Sequence, residues 1–127
     1  MGPFAMKPTE KWVEDWLYGL GPTLEEKTAK ELIKEFQAFW TWANLESKSK
    51  TTKQRYSVAL HSLGGHLVKE TGKKSRSDMG IRKFLKRYVD SGGGPLLHHD
   101  HERWQDELDT VCRRLYKYLM DTRSQAI

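Results

Sequence analysis

The sequence predicts an all-α fold, a compact bundle of four main helices led by a short N-terminal one. Three observations carry this expectation. Apolar residues recur at helical spacing in four separate stretches, and each stretch has a recognisable cap or breaker. No stretch alternates apolar and polar residues as a half-buried strand does, and no segment repeats another. The chain has 127 residues, 37% of them hydrophobic, with five tryptophans among 14 aromatic residues. That size suits one domain burying roughly two-thirds of its unfolded surface, and the composition is too apolar for a disordered chain. The expected organisation is a single helical domain over 9–122 between an N-terminal tail, 1–8, and a C-terminal tail, 123–127.

A short helix is expected over Glu10 to Tyr18, capped by Thr9 and broken by Gly19, Gly21 and Pro22. Thr23 followed by Glu26 has the spacing of a capping box. A long helix should then run to about Glu46, with Ala29, Leu32, Ile33, Phe36, Trp40 and Ala43 in one narrow stripe. Trp42 lies well off that stripe and is expected to pack against Trp12 or Trp16. After a polar turn, a third helix is expected from about Thr52 to Glu70, burying Tyr56, Ala59, Leu60, Leu63 and Leu67. Gly64-Gly65 inside it disfavours the helix by about 1 kcal/mol per glycine relative to alanine, so either a neighbouring helix approaches closely there or the helix kinks. Ser77 can cap a fourth helix reaching about Asp90, with Ile81, Phe84, Leu85 and Tyr88 on one face and Arg82, Lys83, Lys86 and Arg87 on the other. Ser91-Gly92-Gly93-Gly94-Pro95 is a break. The last helix should run from near Asp100 to about Thr122, burying Trp104, Leu108, Val111, Leu115 and Leu119.

The net charge is +5, and it is unevenly spread. From Lys48 to Arg87 there are 12 Lys and Arg against only Glu70 and Asp78, so this stretch is net +10 and the remainder net −5. Such asymmetry points to one positive surface. Ser47 to Arg55 holds four cations, four hydroxyls and no acid, at an expected helix start. Free backbone N–H groups and the positive end of the helix dipole make such a start a phosphate site, and hydroxyls with Lys or Arg are the usual phosphate-contacting groups. With the polar face of the fourth helix, two elements would line one stretch of DNA. The expected contact residues are Lys48, Ser49, Lys50, Thr52, Lys53 and Arg55, then Lys73, Lys74 and Arg76 in the following basic loop, and Arg82, Lys83, Lys86 and Arg87.

Other chemistry is expected to be absent. In His98-His99-Asp100-His101-Glu102 only His98 and Glu102 have the i, i+4 relation that brings two ligands together. The run reads better as a solvated helix start, with Asp100 and Glu102 near the positive dipole end, so no metal and no cofactor are expected. Cys112, the single cysteine, sits near a buried stripe and reads as a structural thiol, in keeping with a reducing, cytoplasmic setting. His61 and His66 lack a third catalytic member, and there is no glycine-rich phosphate loop, HExxH or GxSxG. No enzyme is therefore expected. No apolar run approaches the ~20 residues of a membrane span, and Met1 to Lys11 lacks the apolar core of a secretory signal. The competing expectation to DNA binding is a protein-interaction domain that uses Trp12, Trp16 and Trp42 as an exposed aromatic patch.

Ser49-Lys50-Thr51-Thr52-Lys53-Gln54-Arg55-Tyr56, followed by Leu60, Leu63 and Leu67, resembles the start of the second helix in the core-binding domain of tyrosine recombinases and phage integrases, a Ser-x-x-Thr-x-x-x-Tyr-x-x-x-Leu run. The aromatic string Phe36 to Trp42 before it is similar to that family's first helix end. The helix at Ile81 to Val89 and the closing string Arg114-Leu115-Tyr116-Lys117-Tyr118-Leu119 resemble its later helices. The resemblance spans about residues 24 to 122; Lys50 stands where the family often has proline. The family's catalytic domain has no room in 127 residues, so the resemblance implies a DNA-clamping domain alone, associated with DNA recombination, with Ser49, Thr52, Lys53 and Arg55 at the matching contact positions.

Overall fold

The computed structural model describes residues 7–17, 22–71 and 80–122. Five α-helices lie within them: α1 (Lys11–Leu17), α2 (Pro22–Trp42), α3 (Lys50–Thr71), α4 (Ile81–Leu85) and α5 (Glu102–Asp121). Among the described residues there is no strand, only an isolated antiparallel bridge between Asp90 and Gly93, and no helix is long and apolar enough to cross a membrane. The all-α bundle is as expected, but its helices differ in weight. Three long helices form the body, and the helix expected over 77–90 is a single turn. The Ser77 cap lies outside the described residues; α4 begins after an extended Gly80, and from Lys86 the chain turns away before the glycine break.

The helix ends follow from local chemistry. α2 starts at Pro22, a residue pre-set for the first helical position, which puts Thr23 inside the first turn instead of at the cap. It stops at Trp42, not near Glu46, because Asn44 takes the left-handed conformation (φ 55°). A 3-10 turn, Leu45–Ser47, follows and buries Leu45, while Trp40 Nε1 donates to Glu46 Oε2 at 2.6 Å. α3 starts two residues earlier than expected because Ser49 caps it: Ser49 Oγ accepts from the Thr52 N–H at 3.2 Å and donates to Thr52 Oγ1 at 3.1 Å.

The core forms where the apolar stripes of α1, α2, α3 and α5 meet. Nearly all expected core residues are buried, from Ala29 through Trp40 on α2 with Ala43 just after it, Ala59 through Leu67 on α3, and Leu108 through Leu119 on α5; Phe39, Leu45, Val68, Val89 and Tyr118 join them. Tyr56, Ile81 and Tyr88 are half-buried at its edge. α1 lies across α2 and α3, and Trp16 explains Gly64. A Cβ on Gly64 would overlap the benzo ring of Trp16, whose Nε1 donates to the His61 carbonyl at 3.0 Å. Close approach, not a kink, is therefore the reason for that glycine. α5 runs antiparallel to α3: Thr52 and Tyr56 lie near Val111, Arg55 near Glu107, and Ser62 near Trp104 and Leu108.

The tryptophans are arranged otherwise than expected. Trp12 and Trp16 pack edge to face, 5.9 Å apart, and are buried at 2% and 0% exposure. Trp42 touches neither. It stacks on Phe39 at 6.2 Å and meets Tyr118 edge-on at 5.6 Å, with the Arg114 guanidinium over its ring. Trp104, expected in the core, is 55% exposed. At its level α3 presents Val58 and Ser62, which do not close over the ring.

Candidate nucleic-acid interface

The expected cationic residues divide into four groups. The first surrounds the start of α3. Lys48, Ser49 and Lys50 are exposed, and Thr52 and Lys53 are half-buried. Ser49 and Thr52 are committed to the cap. The three lysines meet no carboxylate among the described residues, and no acid occurs between Glu46 and Glu70. The Lys53 N–H closes the first turn on the Ser49 carbonyl at 3.0 Å, so the N–H groups of Lys50 and Thr51 are the ones left without an intrahelical acceptor. They stand at the positive end of a 22-residue helix.

The second, Arg55, shares a single carboxylate with another arginine. Arg55 Nε and Arg103 Nε both lie 3.7 Å from Glu107 Oε2, so α5 supplies a carboxylate to the face where Arg55 emerges. The third, Lys73, Lys74 and Arg76, lies outside the described residues. The fourth corrects the expectation for α4. Lys83, Lys86 and Arg87 are exposed, but Arg82 turns inward. Its guanidinium bridges Glu35 Oε1 at 2.8 Å, Tyr118 Oη at 3.3 Å, the Leu119 carbonyl at 3.1 Å and Thr122 Oγ1 at 2.5 Å. With the side chain only 19% exposed, Arg82 ties α4 to α2 and to the end of α5, and its guanidinium is engaged within the fold instead of facing solvent as expected. The two basic elements also stand apart along α3. Tyr88, next to Arg87, packs edge-on to His66, sixteen residues and about 24 Å along α3 from Lys50.

The histidine run serves the start of α5. His101 Nδ1 accepts from the Trp104 N–H at 3.3 Å as the N-cap. Its ring stacks on Trp104, centroids 3.9 Å apart, and His98 meets the same indole edge-on. Among the described residues no three His, Cys, Asp or Glu side chains gather as metal ligands. His61 Nε2 is 3.1 Å from Asp15 Oδ2 and helps hold α1 to α3.

Cys112 is fully buried under the glycine break, where a Cβ on Gly94 would run into its sulfur. Gln105 and Asp109 hold that segment: Gln105 Oε1 accepts from the Leu97 and His98 N–H groups, and Asp109 Oδ1 from the Gly94 N–H. Burial, with Asp109 adding to it, pushes the Cys112 thiol up to about 12, against an ordinary value of about 8.5. The thiol is therefore neutral and shielded. The native protein should leave a disulfide reagent such as Ellman's unreacted over an hour at pH 8, and release one equivalent in denaturant; rapid labelling of the native state would contradict this placement. Because the folded-state value is the higher one, this group's stabilising contribution is intact below about pH 8.5 and is lost as pH rises from there toward 12.

A feature not foreseen from sequence lies between the N-terminal halves of α3 and α5. It is a cleft of about 470 Å³ floored by Ala59 and Leu108 and walled by Val58 and Trp104. Its one sequence signal was the tryptophan one turn ahead of Leu108, which read as core because the stripe of α5 continues through it.

Compared with protein-family models, with curated proteins and with solved structures, the chain matches none.

Proposed function

We propose that this chain is a non-enzymatic DNA-binding module that grips the duplex backbone at the start of α3. The observation that carries the reading is the set Lys48, Lys50 and Lys53, without a carboxylate partner among the described residues, around an exposed helix N-terminus, whose first N–H groups have no intrahelical acceptor. Each part suits a phosphate: the lysines as mobile charges, the N–H groups as fixed donors, the dipole as a background field. The resemblance of Ser49 to Leu67 to an integrase core-binding domain supports the same role, with Lys53 at a contact position and Ser49 and Thr52 shaping the helix start. Lys83, Lys86 and Arg87 form a second basic surface for a longer stretch of backbone.

A salt titration against a random-sequence duplex tests this. Neutralising phosphates releases counterions, so log affinity should fall linearly with log salt at roughly −0.9 per phosphate, with about three or four contacts engaged. Lys50→Glu with Lys53→Glu should weaken binding to every sequence alike, by at least about tenfold at 0.1 M salt, and flatten the slope by about two. Arg113→Glu with Arg114→Glu, outside the basic block, should do much less. Failure of the wild-type chain to bind duplex at low salt would overturn the proposal. So would equal damage from the Arg113 and Arg114 changes.

A further inference from the structure

Burial of Trp12 and Trp16 removes the expected aromatic patch, yet large apolar side chains remain exposed elsewhere. Val58, Leu96 and Trp104 are the exposed large hydrophobics among the described residues, at 42%, 61% and 55%. Two of them converge: Val58 and Trp104 both line the α3–α5 cleft. Clustered exposed apolar residues mark a binding surface where single ones do not. The volume, about 470 Å³, is within the usual range of roughly 300–1,000 Å³ for ligand pockets.

The charges over this cleft are incompletely matched. Arg55 and Arg103 share one carboxylate, Glu107, each through Nε at 3.7 Å, with side chains 52% and 76% exposed. A guanidinium carries five donors in a planar fork suited to a carboxylate, so most donors of both arginines remain for an incoming acid. The unopposed lysines at the start of α3 flank the Thr51 end. Asp106 faces a narrower continuation of about 270 Å³ beyond Glu107, so an occupant's acids belong over the wider chamber. The cleft runs between antiparallel helices from Thr51 to Ser62, about 16 Å, the length of an eleven-residue helix presenting anchors at i, i+3/i+4 and i+7. An unpaired nucleobase fits less well. The floor is aliphatic, and one face of Trp104 is already covered by His101 at 3.9 Å.

We propose that the cleft between the N-terminal halves of α3 and α5 docks an acidic amphipathic helix of a protein partner, its apolar face against Val58 and Trp104 and its carboxylates on Arg55 and Arg103. The residues that carry it, Val58, Trp104, Arg55 and Arg103, are other than the lysines that carry the DNA proposal.

The test is selection of a phage-displayed library of random 16-residue peptides on the immobilised full chain, followed by synthesis of the enriched peptides and titration in solution. Enriched sequences should hold more Asp and Glu than Lys and Arg, with apolar residues at i, i+4 spacing. Their affinity should fall at least tenfold with Trp104→Ala, Val58→Glu or Arg103→Glu, each at an exposed position and each checked for an unchanged melting transition. Duplex binding should survive Trp104→Ala, which separates this proposal from the one for DNA. No enrichment, enrichment of basic peptides, or undiminished binding to all three variants overturns the proposal. A dT12 oligonucleotide that binds in a Trp104-dependent way where no peptide does overturns it also, reassigning the cleft to single-stranded nucleic acid.

Discussion

Gly64→Ala should lower the stability of this protein by about 3 kcal/mol, although alanine in a helix interior is intrinsically better than glycine by about 1 kcal/mol. The sign follows from what the new methyl group meets. It would occupy the space of the Trp16 benzo ring, and neither partner can retreat. The Gly64 backbone is held inside α3, and Trp16 is 0% exposed, fixed by its Nε1–His61 bond and by edge contacts with Trp12 and Phe36. Overpacking of this kind disfavours the native state by about 1–3 kcal/mol, and pushing the indole aside leaves a buried N–H unpaired for about 1–3 kcal/mol more. Urea unfolding reads the loss as a lower midpoint with an unchanged slope. Trp16→Leu removes the obstacle, so the double variant should lose less than the two single variants combined, by about 1 kcal/mol or more. A Gly64→Ala protein as stable as the parent would show that α1 does not sit on α3 at this point.

That glycine shows which parts of the fold were legible in the sequence. Apolar stripes at helical period located α2, α3 and α5 within a few residues, because a stripe records burial along a single helix. Gly64-Gly65 signalled a close approach or a kink, but not that Trp16 was the neighbour. Partner choice depends on how helices sit against one another, and a stripe says nothing of that. The same gap misplaced Trp42, which turns to Phe39 and Tyr118, and put Trp104 in the core, where its stripe outruns the partner that would cover it. Helix ends were read from cap-forming residues, and Asn44 in the left-handed conformation ended α2 earlier than the pattern implied. At the candidate site, composition located the basic stretch but not the fate of each charge. The carboxylates nearest Arg55 and Arg82 belong to Glu107 and Glu35, 52 and 47 positions away, and no local motif records such pairings. Lys48, Lys50 and Lys53 meet no carboxylate among the described residues, whereas Glu107 of α5 sits at Arg55.

Arg82→Ala should separate structural from binding cations. Arg82 and Glu35 are each 19% exposed, and the guanidinium serves four acceptors on α2, α5 and the residue after it. Breaking a buried pair costs about 3–5 kcal/mol; partial exposure reduces that here to about 2–3 kcal/mol, because water can reach Glu35 once the arginine is gone. The melting temperature should drop by roughly 6–15 °C for a chain of this length. Arg82→Lys should recover little of it, since an ammonium cannot reproduce a planar fork spread over Glu35, the Leu119 carbonyl and Thr122. Glu35→Gln should be damaging alone but add little to Arg82→Ala, as expected for partners in one network. The neighbouring Lys83→Ala, on an exposed side chain, should stay within about 0.5 kcal/mol of the parent. Duplex affinity should show the reverse order at a temperature where both variants are folded, with Arg82→Ala unchanged within about twofold and Lys50→Glu with Lys53→Glu reduced at least about tenfold. If Arg82→Ala instead left the melting temperature intact and weakened duplex binding, the arginine would be facing solvent, and the tie between α2, α4 and α5 described above would be wrong.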